Sequence, residues 1–273
     1  MNFTDRLHLV VRESQSHLCI GLDPELDKLP AGLSRSPDGL VEFCCEIVAA
    51  TAEFAAAFKI NFAFFEALGH AGWRALEEVA ESLPENRIRI ADAKRGDIGN
   101  SAKYYARAII HELPFDSLTA NPYLGRDAAA AFLEDPAKGV YFLCMTSNPS
   151  AQEIQHFPNR ATPLYLHVAA RVAEWNANQN CGLVVGATQA DELREVRNTC
   201  PELPFLIPGV GAQGGDLAAS AVIGTAQGRV PSLINVSRAI IFAGNDQHFA
   251  SAAAKAAQKY RNDIQVAIDE SKE

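Results

Sequence analysis

The sequence predicts a single-domain (β/α)8 TIM barrel over residues 1–273, and three observations carry that expectation. Eight short apolar runs of strand length recur along the chain, rich in β-branched and aromatic residues. Longer segments with apolar residues three and four apart separate them, as helices require. The spacing, about 34 residues per unit, is that of a closed barrel of roughly 250 residues. An open doubly wound sheet is the alternative with the same alternation. No Pro/Gly/Ser-rich linker, low-complexity run or internal repeat divides the chain, so one domain is expected.

The elements follow in order. MNFTDRLHLVVRESQSH at the start mixes charge with apolar residues at helical spacing and reads as a surface helix, not a signal peptide. Strand runs come at Leu18–Leu22, Ala55–Phe62, Arg87–Lys94, Asp116–Asn121, Gly139–Met145, Cys181–Ala187, Phe205–Pro208 and Leu233–Val236. Helical periodicity covers Leu40–Phe54, Phe65–Leu83, Ser101–Leu113 and Leu164–Asn176. The stretch 146–162, rich in Ser, Asn, Gln and Pro, is long for a barrel loop and reads either as a lid over a ligand or as a solvated insertion.

Composition narrows the partners. Apolar residues make up 48% of the chain, ample for a core, and 24 Lys+Arg against 33 Asp+Glu give a net charge of −9. That balance offers no footprint for nucleic acid or an anionic membrane, and no run reaches the roughly 20 apolar residues of a membrane span. A small-molecule partner is expected. Six scattered cysteines with no CxxC fit a reducing cytoplasm, and Cys19, Cys144 and Cys181 read as small buried apolar residues. The seven histidines lack metal-ligand spacing, so no metal is expected, and His167 reads as a packing residue. Trp73 and Trp175 are expected to pack on the barrel exterior.

A parallel barrel collects ligand chemistry at the carboxyl ends of its strands. Polar residues end the apolar runs here at Asp23, Lys59 with Asn61, Asp92 with Lys94, Asn121, Thr146 with Ser147, and Asn235 with Arg238. Strand alternation puts Ile88, Ile90, Asp92 and Lys94 on one face, so isoleucines filling the barrel would be crowned by the two charges. Asp97 follows in a Gly-flanked turn. Opposite charges at ~4 Å and an effective dielectric of about 20 attract by roughly 4 kcal/mol, enough to hold one another ionised. A surface salt bridge is the plainer reading of Asp92 and Lys94, and Lys59 with Asn61 in the same placement weighs against it. Gly209 to Gly214 matches GxGxxG, yet it sits late and residues 217–244 contain no acid for a ribose, so a dinucleotide site is disfavoured. A turn into a helix, or a phosphate cup completed by Arg238, are the readings a barrel allows.

Asp92-Ala-Lys94-Arg-Gly-Asp97-Ile98 resembles the Asp-x-Lys-x-x-Asp-Ile signature of the orotidine 5'-phosphate decarboxylases. The resemblance extends to the family's longer bacterial form, through GLDP at 21–24, FKINFAFFEALG at 58–69, NPYLG at 121–125, TSNP at 146–149 and IPGVGAQGGD at 207–216. It implies a barrel that decarboxylates orotidine 5'-phosphate to uridine 5'-phosphate without cofactor or metal, as a homodimer with shared sites. It also implies that Lys59, Asp92, Lys94 and Asp97 form a charged catalytic array, with Asp97 and Ile98 serving the partner subunit's site. Asp23 and Lys59 would hold ribose hydroxyls, Ser147 would contact the pyrimidine, Pro208 would line the pocket, and Gln213 and Arg238 would bind phosphate. Asn61, Ser101 and Asn121 complete the implied substrate-binding set. Ser101 stands where the family often has Thr and reads equally as a helix cap, and Ser237 stands where short forms have Gly. Two rivals remain: a related barrel acting on a sugar phosphate with magnesium, and a silent nucleotide-binding barrel.

Overall fold

The computed structural model of the chain describes residues 1–187, 190–210 and 216–272. Its strands are β1 (Leu18–Leu22), β2 (Ala57–Asn61), β3 (Ile88–Arg95), β4 (Ser117–Ala120), β5 (Gly139–Met145), β6 (Cys181–Val185), β7 (Phe205–Ile207) and β8 (Leu233–Val236). They pair in sequence order, all parallel, and β8 returns to β1 with Leu18 opposite Ile234, which closes the barrel and rules out the open sheet. The helices are α1 (Phe3–Ser14), α2 (Pro37–Thr51), α3 (Phe62–Glu66), α4 (Gly69–Glu81), α5 (Gly99–Ala106), α6 (Arg126–Leu133), α7 (Ala151–Gln155), α8 (Leu164–Trp175), α9 (Ala190–Thr199), α10 (Leu217–Gly224), α11 (Arg238–Ile241) and α12 (Phe249–Glu270). None is long and apolar enough to cross a membrane.

Local chemistry sets these boundaries. Ser36 caps α2 by accepting from the Gly39 amide at 3.3 Å, with Pro37 at the first helical position. The strand expected to run to Phe62 stops at Asn61, because the Asn61 side chain accepts from the Ala63 amide at 3.3 Å and starts α3. The helix expected over Phe65–Leu83 is two, divided at Gly69, whose φ of 62° lies in the left-handed region. The helix expected over Ser101–Leu113 starts earlier and finishes as a π-helical turn over Arg107–Glu112.

Two apolar cores result. The larger fills the layer between sheet and helices, with Phe43, Phe58, Phe62, Phe115, Phe142 and Phe205 among its fully buried side chains. The smaller lies inside the barrel, where Cys19, Ala57, Ile88, Ile90, Tyr141, Val184, Leu206 and Leu233 meet Phe3, Leu7 and Val10 of α1. The first helix is thus more than a surface helix, since its apolar face corks the amino-terminal end of the barrel. Phe3 meets Tyr141 edge-on at 5.9 Å. All six cysteines are free. Trp73 and Trp175 sit outside the barrel against Phe62 and Phe142, as expected. His167 does not pack: α8 buries Tyr165, Ala169 and Val172, a spacing that turns His167 to the exposed side.

Candidate active site

The carboxyl end of β3 departs from regular pairing. Ala91 pairs with Leu118 and Arg95 with Ala120, so four residues of β3 span what two cover on β4. This bulge carries Lys94 with φ 47°, left-handed backbone that a side chain rarely adopts. Its effect is to aim Asp92 and Lys94 at each other. Lys94 Nζ donates to Asp92 Oδ1 at 2.7 Å, and Lys59 Nζ on β2 donates to Asp92 Oδ2 at 3.1 Å. Lys59 also reaches Asp23 Oδ1, beyond β1, at 3.5 Å.

The four charges alternate in sign and differ in exposure. The Lys59 side chain is 5% exposed and that of Asp92 12%, whereas that of Lys94 is 51% exposed. Burial opposes the charge on Lys59, yet the Asp23 and Asp92 carboxylates outweigh it and hold the ammonium above its ordinary range. Burial likewise opposes ionisation of Asp92, and Lys59 and Lys94 outweigh it and hold the carboxyl well below the usual carboxylate range. The result is a fixed carboxylate between two ammoniums, one buried at the pocket floor and one half exposed. A pocket of about 190 Å³ opens over this array, lined by Asp23, Lys59, Asn61, Asp92, Pro208 and Arg238 together with Gly209, Val210, Asn235, Ser237 and Ala239.

The profile of the orotidine 5'-phosphate decarboxylase / HUMPS family matches residues 16–267. The chain belongs to this family. It is 46% identical over 268 residues to orotidine 5'-phosphate decarboxylase of Dehalococcoides mccartyi strain CBDB1, covering 97% of each, and 44% identical to that of Thermomicrobium roseum, covering 97% of this chain and 95% of the other. Among solved structures, OMP decarboxylase of Leishmania donovani superposes with a TM-score of 0.84 at 39% identity, covering 97% of this chain and 99% of the other. The chain also superposes on the longer UMP synthase of that organism with a TM-score of 0.86 at 39% identity, covering 97% of this chain but only 57% of the other.

Within this family frame, the residues expected at the site separate into groups. Asp23, Lys59, Asn61, Asp92, Lys94, Pro208 and Arg238 come together at one mouth of the barrel. Arg238 opens α11 after β8, exposed, and its guanidinium makes no hydrogen bond to a described residue. Asp97 does not join the array: its carboxylate accepts from the Ile98 amide at 2.8 Å, and Ile98 is 60% exposed. Asn121 does not line this pocket either, since its side chain accepts from the Tyr123 amide at 3.0 Å and faces a neighbouring cavity. That cavity, of about 630 Å³, lies against α7 and α8, where Gln155 folds the long segment back by donating to Thr146 Oγ1 at 2.6 Å. Ser147 stands beside Gly186 at the ends of β5 and β6. Ser101 lies inside α5 and is not its cap, which falls at Ile98 without a side-chain bond. Gln213, and with it most of the glycine-rich segment, lies outside the described residues.

Ser237 turns out to be accommodated by Gly21. A Cβ at position 21 would stand 1.9 Å from Ser237 Oγ, so the bare backbone of β1 leaves the room the hydroxyl occupies. Two further residues of the mouth stand outside the set that the resemblance implied. Asn235 is 6% exposed on β8, donates to Ser237 Oγ at 3.3 Å and keeps a buried carbonyl oxygen without a partner among the described residues. Thr119 on β4 is 1% exposed and bonds both Asp92 and Lys94. Asn235 is one of the polar strand ends the sequence points to, whereas Thr119 reads in it as an ordinary strand residue. A period-2 count from β4, placing Thr119 on one face with Ser117, is the one signal that could have drawn attention to it.

Proposed function

We propose that this chain decarboxylates orotidine 5'-phosphate to uridine 5'-phosphate and CO2, the step that yields UMP, with its own side chains and no cofactor. The observation that carries the reading is the ionised Asp92 held between buried Lys59 and open Lys94 at the carboxyl mouth of the barrel. Breaking the bond from C6 to the carboxylate leaves the electron pair on an sp² carbon that the ring cannot delocalise, so stabilisation must come from charge fixed beforehand. The Lys94 ammonium supplies it and then gives its proton to C6, after which solvent restores the ammonium. Asp92 lies beside the departing carboxylate and holds the Lys94 ammonium in place through their 2.7 Å contact. Lys59 offsets the charge of Asp92 from the dry side and, with Asp23, takes the ribose hydroxyls. Arg238 takes the phosphate with its planar fork of donors.

Asn61 and Pro208 bound the substrate pocket. Ser147, Asn121 and the 146–162 segment act on the pyrimidine end, and Gln213 acts on the phosphate. Asp97, Ile98 and Ser101 serve the second site of a homodimer. Support for that assembly comes from exposed apolar residues beyond consecutive strands β3, β4 and β5: Ile98 at 60%, Tyr104 at 66%, Tyr123 at 83% and Phe157 at 66%.

Loss of orotidylate absorbance on adding the protein tests the reaction directly. Lys94→Ala should abolish turnover while uridine 5'-phosphate still binds, and near-normal turnover would sink the reading. For the dimer, chains carrying Lys94→Ala and Asp97→Ala should each be inactive and regain activity when mixed. Verified heterodimers with no recovery would show that each site is built from one chain.

A further inference from the structure

We infer that Thr119 is a positioning residue for the reaction, acting through a hydroxyl that ties the Asp92 carboxylate to the backbone of Lys94; the inference rests on the decarboxylase reading of this site. Thr119 Oγ1 donates to Asp92 Oδ1 at 2.9 Å and accepts from the Lys94 amide at 2.9 Å. The proton count leaves one arrangement. An amide can only donate, so the hydroxyl accepts there, and its single proton must go to Asp92, whose Oδ1 must then be bare. Oδ2 in turn accepts from the Lys59 ammonium, so neither oxygen carries a proton, and the hydroxyl favours the ionised state of Asp92.

The location explains why a hydroxyl is needed. Regular pairing of β3 with β4 is interrupted between Ala91 and Arg95, and the Lys94 amide, with φ 47°, finds the Thr119 side chain where a strand would offer a carbonyl. An amide left unmatched in this partly dry place would relax the bulge that aims Lys94. Thr119 also completes the shell of Asp92, whose Oδ1 takes Lys94 Nζ at 2.7 Å beside the hydroxyl while Oδ2 takes Lys59 Nζ at 3.1 Å. Being 1% exposed, Thr119 offers a ligand no surface, so its influence reaches the substrate through Asp92 and Lys94. Ser117 supplies the contrast. It lies two residues earlier on the same face of β4, equally buried, and its hydroxyl has no partner among the described residues.

The test compares Thr119→Val, nearly isosteric but without the hydroxyl, with Thr119→Ser, which keeps it, and with Ser117→Ala as the control for deleting a buried hydroxyl. Thr119→Val should lower kcat about 10- to 100-fold, the range of a hydrogen bond to a charged group, with KM for orotidine 5'-phosphate within about threefold of wild type. Thr119→Ser should recover kcat to within about threefold, and Ser117→Ala should leave it unchanged within the same margin. The ¹³C resonance of the Asp92 carboxyl should titrate at higher pH in Thr119→Val than in wild type or Thr119→Ser, a change that general loosening of the fold would not confine to Asp92. Wild-type kcat in Thr119→Val, equal damage in Thr119→Ser, or an unmoved Asp92 titration would each overturn the inference. Should the valine variant fail to fold, Thr119→Ala against Thr119→Ser gives the same comparison across one hydroxyl. If the wild-type chain does not consume orotidine 5'-phosphate, the decarboxylase reading fails by itself, and the Asp92 titration still decides what Thr119 does.

Discussion

Each end of this barrel holds an aspartate between two cations, and the two ends use that arrangement oppositely. At the amino-terminal end Asp116, 1% exposed, accepts from Arg6 of α1 at 2.7 Å and from the Arg89 guanidinium at 3.3 Å, while the Arg89 amide donates to it at 2.9 Å. At the carboxyl end Asp92 is met by Lys59, Lys94 and Thr119. The first group is saturated and tied to backbone: it pins the α1 cork to β3 and β4 and leaves nothing for a ligand. Its cations are arginines, which stay charged and fix geometry through a rigid fork. The second group uses lysines, compact charges that can release a proton, and one of them, Lys94, is half exposed at the mouth. The same charge pattern thus fastens one end of the barrel and equips the other for chemistry, according to whether the cation can give up a proton and whether it is reachable.

That contrast can be broken from either side. The largest effect on stability is expected at the closed end. Asp116→Ala strands a partly buried Arg89 and should cost about 3–5 kcal/mol in chemical unfolding, with kcat of the surviving fold near wild type. A fall in kcat with unchanged stability would mean that the two ends are coupled. At the open end Arg238→Ala should raise KM for the nucleotide about 10- to 100-fold and leave turnover of a phosphate-free substrate analogue almost unaffected; an unchanged KM removes Arg238 from the phosphate site. The smallest expected change is with pH. Asp92 is depressed, so its contribution to stability is complete above the ordinary carboxylate pKa of about 3.9 and is lost only as pH falls through its lower folded value. Lys59 is raised, so its contribution is complete below about 10.4 and is lost only as pH climbs through its higher folded value. Between about pH 4 and pH 10 the pair should therefore add no slope to stability, and an Asp92 carboxyl resonance that titrates inside that window would contradict the shared ionisation.

Much of this was legible in the residues because it follows from period and position. Alternation along β3 pointed to Asp92 and Lys94, and strand ends pointed to Asp23, Lys59 and Arg238, all of which meet at one mouth. What escaped depends on distance in sequence or on backbone detail. Arg6 and Asp116 stand 110 positions apart, so no local pattern joins them. Thr119 acts through a bulge in the neighbouring strand, and a bulge breaks the very alternation used to read strands. Asn121 falls just past the end of its strand and spends its side chain on its own turn, and His167 follows the helix period to the surface.

The meeting of Gly21 and Ser237 sets a rule of occupancy at the seam where the first strand closes on the last. The two positions share room for one side chain, and here Ser237, just beyond β8, fills it with a hydroxyl that Asn235 steadies at 3.3 Å. A redesign of the pocket floor must therefore treat the two residues as a single volume: any side chain introduced on β1 at this level requires the Ser237 hydroxyl to turn away or to be removed, and the pocket can be re-shaped by moving that one hydroxyl across the seam.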